Sequence, residues 1–222
     1  MRKTLLLIFI LLFMSALTAC AAGGSNQGSN EAPGAAGDNI ENEGGENMGE
    51  QVFVLITLED GRTIKLELFP EVAPITVANF LALVDANYYE GVIFHRVIEN
   101  FMIQTGGYYI EDLTIYQKPP VNQIKGEFSS NGWINNIEHV PGVISMARTS
   151  DPNSATSQFF ICSGTSPHLD GEYAAFGKTV DEESLTVVMD ISRVETANLN
   201  YSFQNFPLEP ITIKSIKRVN NE

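Results

Sequence analysis

The feature that most limits this chain is a change of composition near residue 50. Ala21 to Glu50 consists largely of Gly, Asn, Ser and Ala, with six Asp or Glu and no Lys or Arg. Such a stretch cannot bury enough apolar surface to offset the entropy of ordering it. It therefore reads as a tether rather than an ordered extension, with an r.m.s. reach of roughly 30 Å for 30 residues. Ahead of it, Arg2 and Lys3, the apolar run Leu5 to Phe13 and the small residues up to Ala19 have the layout of an export signal. That run falls short of the about 20 residues a membrane-spanning helix needs. Any fold must come from residues 51–222, a length that suits one domain.

The junction between signal and tether carries its own chemistry. Leu17-Thr18-Ala19-Cys20 resembles a bacterial lipobox, in which the cysteine thiol receives a diacylglyceryl group and becomes the mature N-terminus. The expected organisation is a lipoprotein signal peptide at 1–19, a lipidated Cys20 with a disordered Gly/Asn/Glu-rich tether at 20–50, and a folded domain at 51–222. Each buried CH₂ of an acyl chain adds about 0.8 kcal/mol of membrane affinity, so two or more chains anchor a protein stably. The expected location is extracytoplasmic, lipid-anchored to the bacterial cell membrane through Cys20. A plain signal with an incidental cysteine, or an uncleaved anchor, is the alternative.

Charge narrows the partners. The whole chain has 13 Lys+Arg against 27 Asp+Glu, a net −14. The signal takes two of the basic residues and the tether six of the acids, which leaves 11 against 21 for residues 51–222. A domain at −10 repels phosphate backbones, so nucleic acid is not expected as a partner. Two cysteines cannot build a disulfide framework. With Cys20 assigned to lipid, Cys162 reads as a small buried hydrophobe.

The folded part is mainly β by pattern. Val52 to Leu58 and Arg62 to Phe69 are β-rich runs around Glu59-Asp60-Gly61, a hairpin signal. In the second run, Ile64, Leu66 and Leu68 alternate with Thr63, Lys65 and Glu67 as a half-buried strand requires. Further strands are predicted at 92–98, 101–104, 142–147, 158–163 and 174–178, with a closing strand at 211–214. A helix is predicted from Pro74, with Val77, Phe80, Leu81 and Val84 on one face. A second covers 183–194, with Leu185, Val188, Met189 and Ser192 on its face and Asp181 to Glu183 at its positive end. Pattern alone leaves a closed barrel and a sandwich with helical caps both open.

Four blocks then carry a resemblance. Phe94-His95-Arg96-Val97-Ile98-Glu99-Asn100-Phe101-Met102-Ile103-Gln104 closely resembles the central signature of the cyclophilins, the peptidyl-prolyl cis–trans isomerases. Gly142-Val143-Ile144-Ser145-Met146-Ala147-Arg148, Ser157-Gln158-Phe159-Phe160-Ile161 and Leu169-Asp170-Gly171-Glu172-Tyr173-Ala174-Ala175-Phe176-Gly177 are similar to three more of the family's segments, in the same order. The resemblance runs over about residues 51–218. It implies a mainly β fold: a closed eight-stranded antiparallel β-barrel capped by two α-helices, with a packed interior and an active groove on the outer wall.

It also implies an activity, peptidyl-prolyl isomerisation, which the export signal directs to exported proteins. An X–Pro bond turns over a barrier of about 20 kcal/mol because twisting it destroys amide resonance. A cation aimed at the prolyl nitrogen favours the twisted form and so lowers that barrier. No bond is made, so neither cofactor nor metal is expected. By resemblance, Arg96 is the catalytic donor and Gln104 orients it. Phe101, Met102, Phe160 and Leu169 seat the proline ring, the backbone at Arg148 bonds the extended peptide, and Ala147 and Thr149 border the neighbouring pocket. His168 and Tyr173 complete the substrate-binding set. His95 reads as structural, since isomerisation moves no proton, and His139 as loop surface. The expected partners are unfolded or proline-containing polypeptides, and a monomer is the default. The alternative is a proline-peptide-binding chaperone module with little turnover.

Three departures from the family pattern carry consequences. His168 stands where many members have a tryptophan that helps bind cyclosporin, which predicts weak sensitivity to that drug. Tyr173 replaces a groove histidine. Thr105 reads as an added residue that bulges the strand after Gln104, and 109–123, with Lys118-Pro119-Pro120 in place of a glycine-rich turn, reads as a rebuilt loop beside the secondary pocket.

Overall fold

The computed structural model describes residues 51–220. The segments expected to be a signal peptide, a lipidated Cys20 and a tether lie outside the described residues. In chain order the strands are β1 Val52–Leu58, β2 Thr63–Leu68, β3 Arg96–Ile98, β4 Met102–Thr105, β5 Tyr108–Glu111, β6 Thr114–Gln117, β7 Val143–Met146, β8 Phe159–Cys162, β9 Ala175–Thr179, β10 Thr196–Ala197, β11 Phe206–Pro207 and β12 Ile213–Val219. The helices are α1 Pro74–Asp85 and α2 Glu182–Ser192. Eight strands form one antiparallel sheet in the order β12-β1-β2-β9-β7-β8-β4-β3, while β5-β6 and β10-β11 are separate pairs. One sheet excludes the sandwich.

The sheet curls rather than closing along its whole length. Among the described residues its edges meet around the Ile93–Thr212 bridge, with Phe94 N–H donating to Ile211 O, Ile213 N–H to Val92 O and Gly91 N–H to Ile213 O. Beyond that point the outer flank of the short β3 is taken by a loop, since Val97 N–H donates to Asn205 O. A closed barrel therefore overstates the architecture. The run predicted at 92–98 is accordingly split into a bridge and the three residues of β3.

Strand alternation places the core. Val54, Ile56 and Leu58 of β1 and Ile64, Leu66 and Leu68 of β2 point inside, against Val77, Phe80, Leu81 and Val84 of α1. Phe80 meets the rings of Tyr89, Phe159 and Phe176, each at 5.4 Å, so aromatic side chains fill the interior. Pro74 opens α1, and its first free N–H groups find a remote acceptor. The fully buried Glu127 carboxylate accepts from Ile75 N–H at 3.0 Å and Thr76 N–H at 2.7 Å.

Helix α2 sits one position round from its predicted face. Asp181 caps it by accepting from Ser184 N–H. Ser184 Oγ in turn accepts from Lys65 N–H in β2, which turns Ser184, Val187 and Ile191 inward beside Val188 and Ser192, both buried as predicted. Leu185 and Met189 are left on the half-buried flank. Thr105 does not bulge its strand: the β4–β8 pairing runs Met102↔Cys162 to Thr105↔Phe159 without a shift, and Thr105 Oγ1 donates to Ile93 O. The stretch 109–123 contains a regular hairpin, β5–β6.

Candidate active site

Period-two alternation and register build the site on the outer face of three neighbouring strands. Val97, Ile103, Phe159 and Ile161 point into the core. Their neighbours therefore point out. The register then lines up Arg96 with Gln104 across β3–β4, and Gln104 with Phe160 across β4–β8. Two residues along on the same face, Ile98 pairs with Met102 and Met102 with Cys162. Residues far apart in the chain thus become one row: a cation, an amide and an aromatic ring.

Met102, Phe160, Cys162 and Leu169 form a second buried cluster outside the barrel core, with Phe101, Ala147 and Tyr173 packed on it. Phe101 is presented by the β3–β4 turn, where Asn100 has φ 58°. Ser163 N–H donates to Phe101 O, and a Cβ at Gly164 would collide with the Asn100 carbonyl, so only glycine lets β8 run so close to that turn. The opposite wall comes from the segment after β7, which supplies Ala147 and Arg148, and from the helical turn Pro167–Leu169 followed by Tyr173.

Together these residues enclose a cleft of about 130 Å³ lined by Arg96, Phe101, Met102, Gln104, Ala147, Arg148, Phe160, Leu169 and Tyr173. Of the residues the sequence singled out, two stay at the rim. Thr149 is exposed and hydrogen-bonded to Ser154, and exposed His168 holds its ring 5.5 Å from that of Phe101. Two larger surface hollows exist. One, of about 610 Å³, is lined by Glu59, Asp60, Glu195 and Glu209, and its cation Arg62 is neutralised by Asp60 at 2.7 Å. The other, of about 700 Å³, lies beside Trp133 and Ile134. Size does not select the site; the convergence of a cation on an apolar floor does.

Arg96 is half-buried, and burial pulls its pKa down from the ordinary arginine value. It stays charged, because an arginine side chain is not deprotonated in a protein. Its Nη1 lies 3.5 Å from Gln104 Oε1 and 3.9 Å from Met102 Sδ, and its guanidinium sits 5.9 Å from the Phe101 ring centre. Gln104 donates from Nε2 to Gln158 Oε1 at 3.0 Å, which fixes its oxygen toward Arg96. Gln158 was missed as a site residue, although it stands inside the Ser157 to Ile161 block. The opposite wall is strapped by Arg148, whose Nε and Nη2 both donate to Glu172 O and whose Nη1 donates to Thr149 O. Its guanidinium also lies 4.6 Å from the Tyr173 ring centre.

His139 is not loop surface. It is 1% exposed, with Nδ1 at 2.9 Å from Asp170 and Nε2 at 3.1 Å from Ser145 Oγ, and its ring stacks on Phe160 at 6.1 Å. A carboxylate only accepts, so Nδ1 carries the proton and Nε2 accepts from the hydroxyl. Burial pulls the His139 pKa down, against the opposing pull of Asp170. The set has the composition of a hydrolytic triad, yet Ser145 is fully buried and out of reach of any substrate. It braces the back of the cleft. Cys162 is likewise inert, its thiol pushed up to about 12 by burial.

Fold and cleft define a curled antiparallel sheet with a packed interior and a cation-lined apolar groove on its outer face. The family described as cyclophilin type peptidyl-prolyl cis-trans isomerase/CLD matches residues 53–218. The peptidyl-prolyl cis-trans isomerase A of Dickeya dadantii (strain 3937) is 41% identical over 169 residues, covering 74% of this chain and 83% of that protein. A peptidyl-prolyl cis-trans isomerase of Acinetobacter baylyi is 42% identical over 159 residues, 69% of this chain and 79% of its own. Among solved structures, a Cryptosporidium parvum cyclophilin type isomerase matches with a TM-score of 0.61 at 29% identity, covering 78% of this chain and 99% of that one. The same protein solved in the presence of the dipeptide Ala-Pro matches with a TM-score of 0.60 at 31% identity, over 76% of this chain and 99% of that one. The chain belongs to the cyclophilin-type peptidyl-prolyl cis–trans isomerases, a class of enzymes.

Proposed function

We propose that this enzyme accelerates X–Pro isomerisation in exported polypeptides from the outer side of a bacterial membrane, to which lipidated Cys20 anchors it as a monomer. The observation that carries the catalytic part is the row Arg96, Gln104, Phe160 across β3, β4 and β8, with a guanidinium facing an apolar floor. A proline ring seated on Phe101, Met102, Phe160 and Leu169 brings its nitrogen within reach of Arg96. As the C–N bond twists, that nitrogen regains its lone pair and accepts a hydrogen bond it cannot accept when planar. Arg96 thus binds the twisted form more strongly than either planar isomer. Gln104, held by Gln158, orients the guanidinium, and the backbone beside Arg148 pairs with the peptide.

The test is an X–Pro tetrapeptide isomerisation assay on the full chain. Arg96→Ala should lower kcat/KM about 10²- to 10³-fold, the usual cost of one transition-state donor. A wild-type protein that binds Pro-peptides without accelerating their isomerisation would instead support the chaperone module. Anchoring has a separate readout: mass spectrometry of the mature N-terminus should find acylated Cys20, and an unmodified secreted form would refute it.

A further inference from the structure

The hairpin β5–β6 contributes no residue to the lining of the cleft, and its tip is not built for stability. Its two-residue turn is Asp112-Leu113, with φ of 46° and 62°. That geometry suits Asn and Gly, and a leucine in it is strained. The strained side chain gains almost no packing, since Leu113 is 64% exposed. On one face of the hairpin the paired Tyr109 and Tyr116 stack at 5.5 Å, and Tyr116 is 43% exposed. Lys118 Nζ lies 5.2 Å from the Tyr88 ring centre and 5.8 Å from that of Tyr109, extending the aromatic shelf toward the body of the domain.

The hairpin also presents a strand edge. β5 is bridged to the domain through Val92↔Tyr109, which leaves β6 as the outer strand of its two-stranded sheet. Glu111 and Thr114 close the turn, so Ile115 and Gln117 fall at positions whose backbone groups point away from β5. An apolar tip, an aromatic shelf and an outward edge together suit an extended, apolar stretch of polypeptide.

The base of the hairpin adjoins the cleft. Gly107, just before β5, leaves space that the Gln158 side chain fills, and a Cβ there would collide with it. Gln158 is the residue that holds Gln104. The Tyr108 ring at the base of β5 packs 4.8 Å from that of His95, next to Arg96. A chain leaving the cleft past Gln104 therefore meets the base of the hairpin.

We propose that β5–β6 is an accessory arm that holds an extended apolar segment of the same polypeptide whose X–Pro bond lies in the cleft; this rests on the isomerase reading above. The arm adds affinity for unfolded protein without altering the chemistry at Arg96. The test compares the full wild-type chain with a Leu113→Gly, Tyr116→Thr double variant. Glycine relieves the turn and threonine suits a strand, so the hairpin is retained. Two substrates are used: an X–Pro tetrapeptide and an unfolded protein whose refolding is limited by proline isomerisation. Losing the burial of two large side chains should lower kcat/KM on the protein about tenfold through KM, and leave the tetrapeptide value within about twofold. Equal activity of variant and wild type on the refolding protein, or equal losses on both substrates, would overturn the arm. A wild-type chain inactive on the tetrapeptide would overturn the isomerase reading instead, a distinct result.

Discussion

Replacing His95 by glutamine should flatten the acid limb of this protein's stability. His95 is 6% exposed, and its Nδ1 has no hydrogen-bond partner among the described residues. Burial pulls its pKa down to about 4, and the adjacent Arg96 charge pushes the same way. An unfolded histidine titrates near 6.5, so between pH 6.5 and 4 the unfolded chain binds the extra proton and the folded one does not. The stability contributed by a neutral His95 is therefore complete above about pH 7, is lost as pH falls through that window, and changes no further below about pH 4. A gap of that size is worth about 3 kcal/mol, most of which is gone by pH ~4.5. Urea unfolding of both proteins at pH ~7.5 and ~4.5 measures this directly. His139 titrates in the same direction but is present in both proteins, so the difference isolates His95. The wild type should lose about 2 to 3 kcal/mol more than His95→Gln over that range. Coincident acid limbs would refute the account of His95 as a buried neutral base.

Two further substitutions test the supports of the fold and the cleft. Glu127→Ala strips the N–H groups of Ile75 and Thr76 of their buried acceptor. It should cost about 3 kcal/mol and lower Tm by about 6–12 °C in a thermal unfolding scan. An unchanged Tm would mean that another group caps α1. Arg148→Lys keeps the charge but loses the fork that ties Glu172 O, Thr149 O and the Tyr173 ring together. Peptide KM should rise about three- to tenfold with kcat nearly unchanged, and a fall in kcat alone would assign Arg148 a different role.

Much of the site was legible because strands alternate. In Met102-Ile103-Gln104 and in Phe159-Phe160-Ile161, period two alone says which side chains share a face. The blocks around them resemble a family in which those faces matter. What was illegible depends on contacts that no local pattern encodes. His139 looked like loop surface because its partners, Ser145 and Asp170, lie on other elements, and only their convergence buries it. The face of α2 shifted by one position because the Ser184 hydroxyl meets Lys65 in β2. Thr105 looked like an extra residue, yet the β4–β8 register absorbs it without a bulge. The hairpin β5–β6 was hidden because Asp112-Leu113 lacks the Asn-Gly signature of its turn.

By itself the sequence determined that residues 51–222 have the composition and patterning of one folded domain, that this part is acidic, and that its strands carry an arginine, a glutamine and large apolar residues on alternate positions. These are local properties of composition and period. Only the tertiary structure decided that the sheet curls with edges meeting at Ile93 and Thr212, and that Arg96, Gln104 and Phe160 stand in one row. It also decided that Arg148 spans the opposite wall. Register is set by pairing between strands distant in the chain, and a slip of one residue would turn every one of those side chains to the other face.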